Sequence, residues 1–179
     1  MNIKDLSNLH KECIRRKIPS IGPKKGKWLL NKIKELQPQL ILELGTANGY
    51  SGVILGSEGA KIITIDQNPQ IIKDAEQNFR EFNTKATIIF NDVEVEVKNT
   101  AKDKKNHNKF DLIFIDFSNK GYIRILEDCI KIVKKGGVII ADNVDMEGCK
   151  DFKEKILNHK KLNTEIINIE DGISVSKKV

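Results

Sequence analysis

No apolar run in the chain approaches the ~18 residues that a membrane span needs, and charged residues make up 31% of it against 39% hydrophobic ones. A membrane-embedded protein is therefore excluded as a reading. Cysteine is scarce: Cys13, Cys129 and Cys149 are odd in number and unrelated in spacing, which argues against a disulfide framework and against a thiolate metal site. The three histidines, His10, His107 and His159, are scattered, so no imidazole cluster points to zinc. Seven Phe, two Tyr and one Trp leave an aromatic-lined pocket without evident material. The opening segment "MNIKDLSNLHKECIRRK" is charged throughout and lacks the apolar core of a signal peptide, so the expectation is a cytoplasmic protein with no membrane partner.

What is present is a chain of 179 residues, a length that suits one hydrophobic core. The formal charge of +6 permits contact with anions, but most of the excess is diffuse. The densest run, "KDKKNHNK" at 102–109, has no aromatic residue for base stacking and reads first as a solvated loop. Short β-branched runs alternate with helical patterns: "LILEL" (40–44), "KIITID" (61–66), "ATIIF" (86–90), "FDLIFID" (110–116) and "GVIIAD" (137–142). They are almost continuously apolar, as strands covered on both faces should be. Between them, Asn68-Pro69 can start a helix whose Ile71, Ala75, Phe79 and Phe82 share a face. A second helix would place Tyr122, Ile125, Leu126, Cys129, Ile130 and Val133 on one side and end at lysines and a glycine pair. Residues 2–17 and 23–36 also read as helices, and Asp171-Gly172 sits between two β-like runs as a hairpin turn would.

The expectation is one domain, 1–179, with N-terminal helices at 1–37 and a Rossmann-like core at 38–179. Its fold class is α/β: a doubly wound, mostly parallel seven-stranded sheet with an antiparallel C-terminal hairpin strand.

The stretch "ILELGTANGYSG" (41–52) places a glycine turn between the first strand and a helix, where open α/β sheets bind ligands. A nicotinamide dinucleotide site prefers Gly-x-Gly-x-x-Gly, whereas the spacing here is Gly45-x-Ala47-x-Gly49-x-x-Gly52. The acid Glu43 would repel a pyrophosphate and suits a cationic ligand. Asp66, 21 residues beyond Gly45, can hydrogen-bond a ribose diol in either kind of site.

Taken with "IGPKKGKWL", "ITIDQNP", "FDLIFID", "GGVIIADNV" and "DGISVSKK", this turn resembles the successive motifs of class I S-adenosylmethionine-dependent methyltransferases, specifically the catechol and caffeoyl-CoA O-methyltransferase family, over residues 21–178. The resemblance implies that Glu43, Gly45, Thr46, Gly49 and Ser51 surround the methionine part of S-adenosylmethionine, with Ile21 and Gly22 closing over it. It implies that Asp66 holds the ribose hydroxyls, Gln67 lies beside the adenine, and Asp92 and Val93 lie at the adenine edge. Asp116 would border the cofactor as well as bind metal.

Asp116 and Asp142 end neighbouring strands about 4.8 Å apart, and Asn143 follows directly, so two carboxylates and an amide oxygen should converge. Such hard oxygen donors suit Mg²⁺, or Ca²⁺ or Mn²⁺, and the family resemblance implies the same triad. One departure stands out: where the family's metal-dependent members usually carry a base lysine, this sequence has Asn119, with Lys120 one place later. The base is therefore open between Lys120 and the metal acting alone. The residues after "ADNV" also lack the aromatic that many relatives place against a flat substrate.

The leading expectation is a metal-dependent O-methyltransferase acting on a small-molecule hydroxyl with an adjacent oxygen function. A second reading keeps the cofactor and makes the acceptor a modified nucleoside in tRNA, with Lys104, Lys105 and Lys109 as phosphate contacts. A third, an NAD-binding Rossmann oxidoreductase or a non-catalytic binding protein, is opposed by Glu43 and Ala47. The chain carries no oligomer signal of its own, and the resemblance leaves a homodimer open.

Overall fold

The computed structural model describes residues 6–179. Two helices, α1 (Ser7–Arg16) and α2 (Gly22–Leu36), precede an alternation of β1 (Leu40–Leu44), α3 (Tyr50–Leu55), β2 (Lys61–Asp66), α4 (Pro69–Glu81), β3 (Lys85–Phe90), α5 (Val93–Lys102), β4 (Phe110–Ile115), α6 (Tyr122–Ile132) and β5 (Val133–Asp142). The remainder is α7 (Lys150–Leu157) followed by the hairpin of β6 (Leu162–Ile167) and β7 (Ile173–Lys178). The expected helix at 2–17 is seen as α1, and its first residues lie outside the described ones.

The strands form one 7-stranded sheet in the order β3-β2-β1-β4-β5-β7-β6. Pairs from β3 through β5 are parallel, and β7 is antiparallel to both β5 and β6. Side chains of successive strand residues point to opposite faces, and the burial follows that rule. Leu42, Leu44, Ile113, Ile115, Ile139 and Ala141 pack beneath α5, α6 and α7. Ile41, Ile62, Leu112, Phe114, Val138 and Ile140 pack with α1 to α4. Both faces of the central strands are covered, which is why the sequence shows continuous apolar runs there instead of alternation.

The helix signals act as expected at α4, where the Asn68 side chain accepts from the N–H groups of Gln70 and Ile71 and Pro69 occupies the first turn. One boundary differs. The helix α6 ends at Ile132, and Val133 with the following lysines and glycines already belongs to β5. Val133 pairs with Phe110 across a register shift, and Lys134 Nζ donates to Asp111 Oδ1 at 2.6 Å, so strand pairing captures a segment whose composition suggests a helix end. Cys13, Cys129 and Cys149 are all buried free thiols.

Among the described residues no helix is long and apolar enough to cross a membrane. The parallel strands end together at Leu44, Asp66, Ile115 and Asp142, and the turns after them supply the site.

Candidate active site

Gly45 follows β1 with φ 102°, a left-handed value that glycine adopts without strain. A Cβ there would collide with the carbonyl of Asp116, so the glycine lets the turns after β1 and β4 touch. Ala47 is also left-handed, at φ 43°, and Gly49 caps α3 at φ 86°. The turn is held by Asp66 at the end of β2: its Oδ2 accepts from the N–H groups of Thr46 (3.1 Å) and Ala47 (3.0 Å), and its Oδ1 from that of Asn68 (2.9 Å). Thr46 Oγ1 lies 2.6 Å from Thr64 Oγ1 beneath the turn. Helix α1 rests on the other side of it, where Asn48 Nδ2 donates to Cys13 Sγ at 3.2 Å and Arg16 pairs with Asp74 of α4 at 2.7 Å.

A cavity of about 430 Å³ opens above this edge of the sheet, within the usual size range of small-molecule sites. Gly45, Ala47, Asn48 and Ser51 from the glycine turn, Asp66 and Asn68 after β2, Asp116, Phe117, Ser118 and Asn119 after β4, and Asn143 after β5 all line it. Pro19 and Ser20, ahead of α2, close it from above.

The acids are perturbed. Glu43 is fully buried behind the turn, with Oε1 accepting from Ser51 Oγ at 2.6 Å and Oε2 lacking any hydrogen-bond partner. Burial pushes its carboxyl up to about 7, against the opposing hydroxyls of Ser51 and Thr64. Burial, then the charges of Asp142 and Glu43, push Asp116 up to about 8, while Lys25 pulls the other way. Asp142 is likewise raised by burial, and the Lys25 ammonium and the Asn143 N–H oppose that shift. Acids whose proton affinities are raised by burial, and at Asp116 also by the charges of Asp142 and Glu43, make an environment that a cation would relieve.

The donor set supports that reading. Ile115 and Ala141 are paired across β4 and β5, so Asp116 and Asp142 occupy the next register position at the sheet edge. Asn143 adopts φ 57°, a left-handed conformation that brings it to the cavity wall. Two carboxylates and an amide oxygen are hard donors suited to Mg²⁺, Mn²⁺ or Ca²⁺. No cluster of three or more His, Cys, Asp or Glu fit for a metal occurs among the described residues, so the amide of Asn143 is needed to complete the set.

The expected residues thus separate. Gly45, Ser51, Asp66, Asp116, Asn119 and Asn143 meet at one cavity, with Glu43, Thr46 and Gly49 shaping the turn beneath. Asp142 lies beside it and lines a smaller recess with Ile21 and Lys25. Gly22 begins α2 and lines neither space; Gln67 is exposed, Asp92 caps α5 by accepting from Val95 N–H, and Val93 is buried in the core. Lys120 is exposed, whereas the Asn119 amide lines the cavity and donates to Met146 Sδ at 3.2 Å. Lys104, Lys105 and Lys109 precede β4 and so lie at the opposite edge of the sheet from the cavity. Lys25 and Asn48 were missing from the sequence expectations. Lys25 could have been flagged, because it heads the stripe Lys25, Leu29, Ile33 on the buried face of α2.

Comparison with known proteins bears on the family and the fold. A model of the O-methyltransferase family matches residues 2–179. Catechol O-methyltransferase B of Danio rerio is 31% identical over 173 residues, covering 88% of this chain and 64% of that protein. Catechol O-methyltransferase of Sus scrofa is 30% identical over 140 residues, 74% of each chain. The crystal structure of the O-methyltransferase from Bacillus cereus in complex with S-adenosylhomocysteine shares the fold, with a TM-score of 0.82 at 20% identity over 98% of this chain and 90% of that one. The chain spans 64% and 52% of the length of the Danio rerio and Bos taurus catechol relatives. The chain belongs to the O-methyltransferase family.

Proposed function

We propose that the protein transfers a methyl group from S-adenosylmethionine to a hydroxyl of a small molecule that carries a second oxygen beside it, with a divalent cation in the site. The observation that carries this reading is the convergence of the glycine turn, Asp66 and the Asp116/Asp142/Asn143 set on one edge of the sheet. The names of the catechol O-methyltransferase relatives support adjacent hydroxyls as the acceptor pattern.

The cofactor supplies the electrophilic methyl, and a bound divalent cation would supply Lewis acidity at the acceptor oxygens. The unpartnered buried oxygen of Glu43 would receive a methionine ammonium, and Ser51 fixes the carboxylate's orientation. Asp66 has three N–H groups already placed on its two oxygens, which leaves about one of a carboxylate's roughly four acceptor positions for a ribose hydroxyl. Gly45 and Gly49 adopt the positive φ values that shape the turn, and their lack of a Cβ lets it pack against the Asp116 carbonyl and the Phe79 ring. Asp116, Asp142 and Asn143 would hold the cation, so the acceptor is oriented from the β4 and β5 side and the methyl donor from the β1 side. Phe117 and Pro19 line the cavity and reduce water at the reacting atoms.

Calorimetric titration with S-adenosylhomocysteine and with NAD, followed by methylation of a catechol probe with Mg²⁺ and with excess chelator, tests the proposal. Heat with S-adenosylhomocysteine only, and turnover that chelator abolishes, are expected; NAD binding or full turnover in chelator would sink it. An RNA acceptor draws no support from Lys104, Lys105 and Lys109, which face away from the site.

A further inference from the structure

Lys25 is the chain's least expected buried group. Its side chain is 3% exposed, that of Asp142 is 4% exposed, and Nζ donates to Asp142 Oδ1 at 2.5 Å. The ammonium sits among Ile21, Trp28, Leu29, Phe114 and Ile173, in a recess whose free volume is only about 10 Å³. The recess is otherwise lined by apolar side chains, so the lysine's charge is answered by Asp142. The same oxygen, Oδ1, accepts the Asn143 N–H at 2.8 Å. The hydrogen bonds among the described residues leave Oδ2 without a donor.

We propose, on the metal-dependent reading above, that Lys25 is a built-in counter-cation of the divalent site: it holds Asp142 by Oδ1, leaves Oδ2 as the single oxygen offered beside Asp116 and Asn143, and weakens divalent binding so that the ion remains exchangeable. The physical argument has two parts. Orientation follows from the pairing, because a carboxylate bonded through one oxygen to both Lys25 and the following backbone N–H cannot rotate freely to bind a metal through both oxygens. Affinity follows from charge: Asp116 and Asp142 contribute two negative charges, Lys25 cancels one of them, and a fixed ammonium repels an arriving doubly charged ion. Lys25 is therefore a positioning residue, acting on the cation through Asp142.

The test uses Mn²⁺ as the probe, followed by its electron paramagnetic resonance signal in the full-length protein with S-adenosylhomocysteine present. In the unaltered protein Mn²⁺ should bind reversibly and be lost on gel filtration without metal. Lys25→Met and Lys25→Gln, the second retaining a hydrogen-bond donor without the charge, should each bind Mn²⁺ at least about tenfold more tightly, a modest effect for a full charge at an effective dielectric near ~20. Their melting temperatures should fall in the absence of metal, because Asp142 loses its buried partner, and should rise with Mn²⁺ by more than the unaltered protein's does. A purely structural lysine would lower stability and leave the resonance titration unchanged. Equal or weaker Mn²⁺ affinity in a folded variant, or Mn²⁺ retained by the unaltered protein through gel filtration, overturns the inference. Failure of Mn²⁺ to bind any of the proteins removes the metal reading itself and this inference with it, while S-adenosylhomocysteine binding would still stand.

Discussion

Replacing Glu43 by Gln separates the buried carboxylate's charge from its shape. The amide has nearly the same volume and can still accept the Ser51 hydroxyl, but it cannot ionise. The folded value of about 7 lies above the ordinary 4.5, so the folded state binds the proton more tightly than the unfolded chain does. Stability from this group is therefore fully present below about pH 4.5 and is lost as pH rises through about 7. At ~1.4 kcal/mol for each tenfold difference in proton affinity, the loss amounts to about 3 kcal/mol. Urea denaturation of the protein without cofactor or metal should show stability falling between about pH 4 and pH 8, and Glu43→Gln should fall by about 3 kcal/mol less across that range. Comparing the pH dependence of each protein with itself cancels the constant cost of the amide's own unpaired N–H. Because Gln cannot neutralise an ammonium, S-adenosylhomocysteine affinity at pH 8 should drop by about 1.5–3 kcal/mol, roughly 10- to 150-fold by calorimetry. A variant with the wild-type pH dependence and unchanged affinity would refute both the burial argument and the placement of the ammonium.

Other outcomes follow from the same geometry. Asp116, held near 8, has the same sign of linkage, so its carboxyl must release a proton to bind a cation; saturating Mg²⁺ should raise the melting temperature more at pH 8 than at pH 6, and an equal rise at both would count against Asp116 as a ligand. Gly45→Ala should cost about 2–4 kcal/mol in denaturant unfolding, since its Cβ meets the Asp116 carbonyl at a left-handed position; a loss below the ~0.5 kcal/mol of an ordinary surface change would show that the two turns are not in contact. Asn119→Lys puts an amine on the cavity wall where the structure has an amide: methylation of a weakly acidic acceptor at neutral pH should accelerate about tenfold or more, with the kcat profile moving to lower pH, and an unmoved profile would exclude this position from proton transfer.

The strands, the α4 cap and the hairpin were readable because each rests on local chemistry: doubly buried runs, Asn68-Pro69, Asp171-Gly172. The start of β5 was not, because Lys134 to Gly137 has the composition of a helix end and lies in the irregularity between two pairings with β4, Phe110 with Val133 and Leu112 with Val138, which are contacts between distant residues. At the site, Glu43, Gly45, Asp66 and the Asp142-Asn143 pair could be named because each lies at or just beyond the carboxyl end of a parallel strand, where open α/β sheets present their ligand edge. Lys25 escaped because its role depends on Asp142, 117 residues away, and a lysine in a helix ordinarily faces solvent. Likewise, Asp66 was legible as an acceptor of ligand hydrogen bonds, but its hold on Thr46 and Ala47 depends on a left-handed alanine that no pattern announces.

The position of β7 between β5 and β6 bears on how the site is completed. Strand β6 precedes β7 in the chain but pairs with no other strand, so it joins the sheet only through residues 173–178, which lie beside β5. Asp142 is in register with Ile173, the first residue of that strand. Both outer strands thus depend on the β5–β7 pairing for their place in the sheet. The glycine turn is seated by β1, β2 and β4, whereas the carboxylate nearest Lys25 is paired with a strand that follows it by about thirty residues. Any change that unseats β7 therefore reaches Asp142 directly, while the turn around Gly45 keeps its own strand partners.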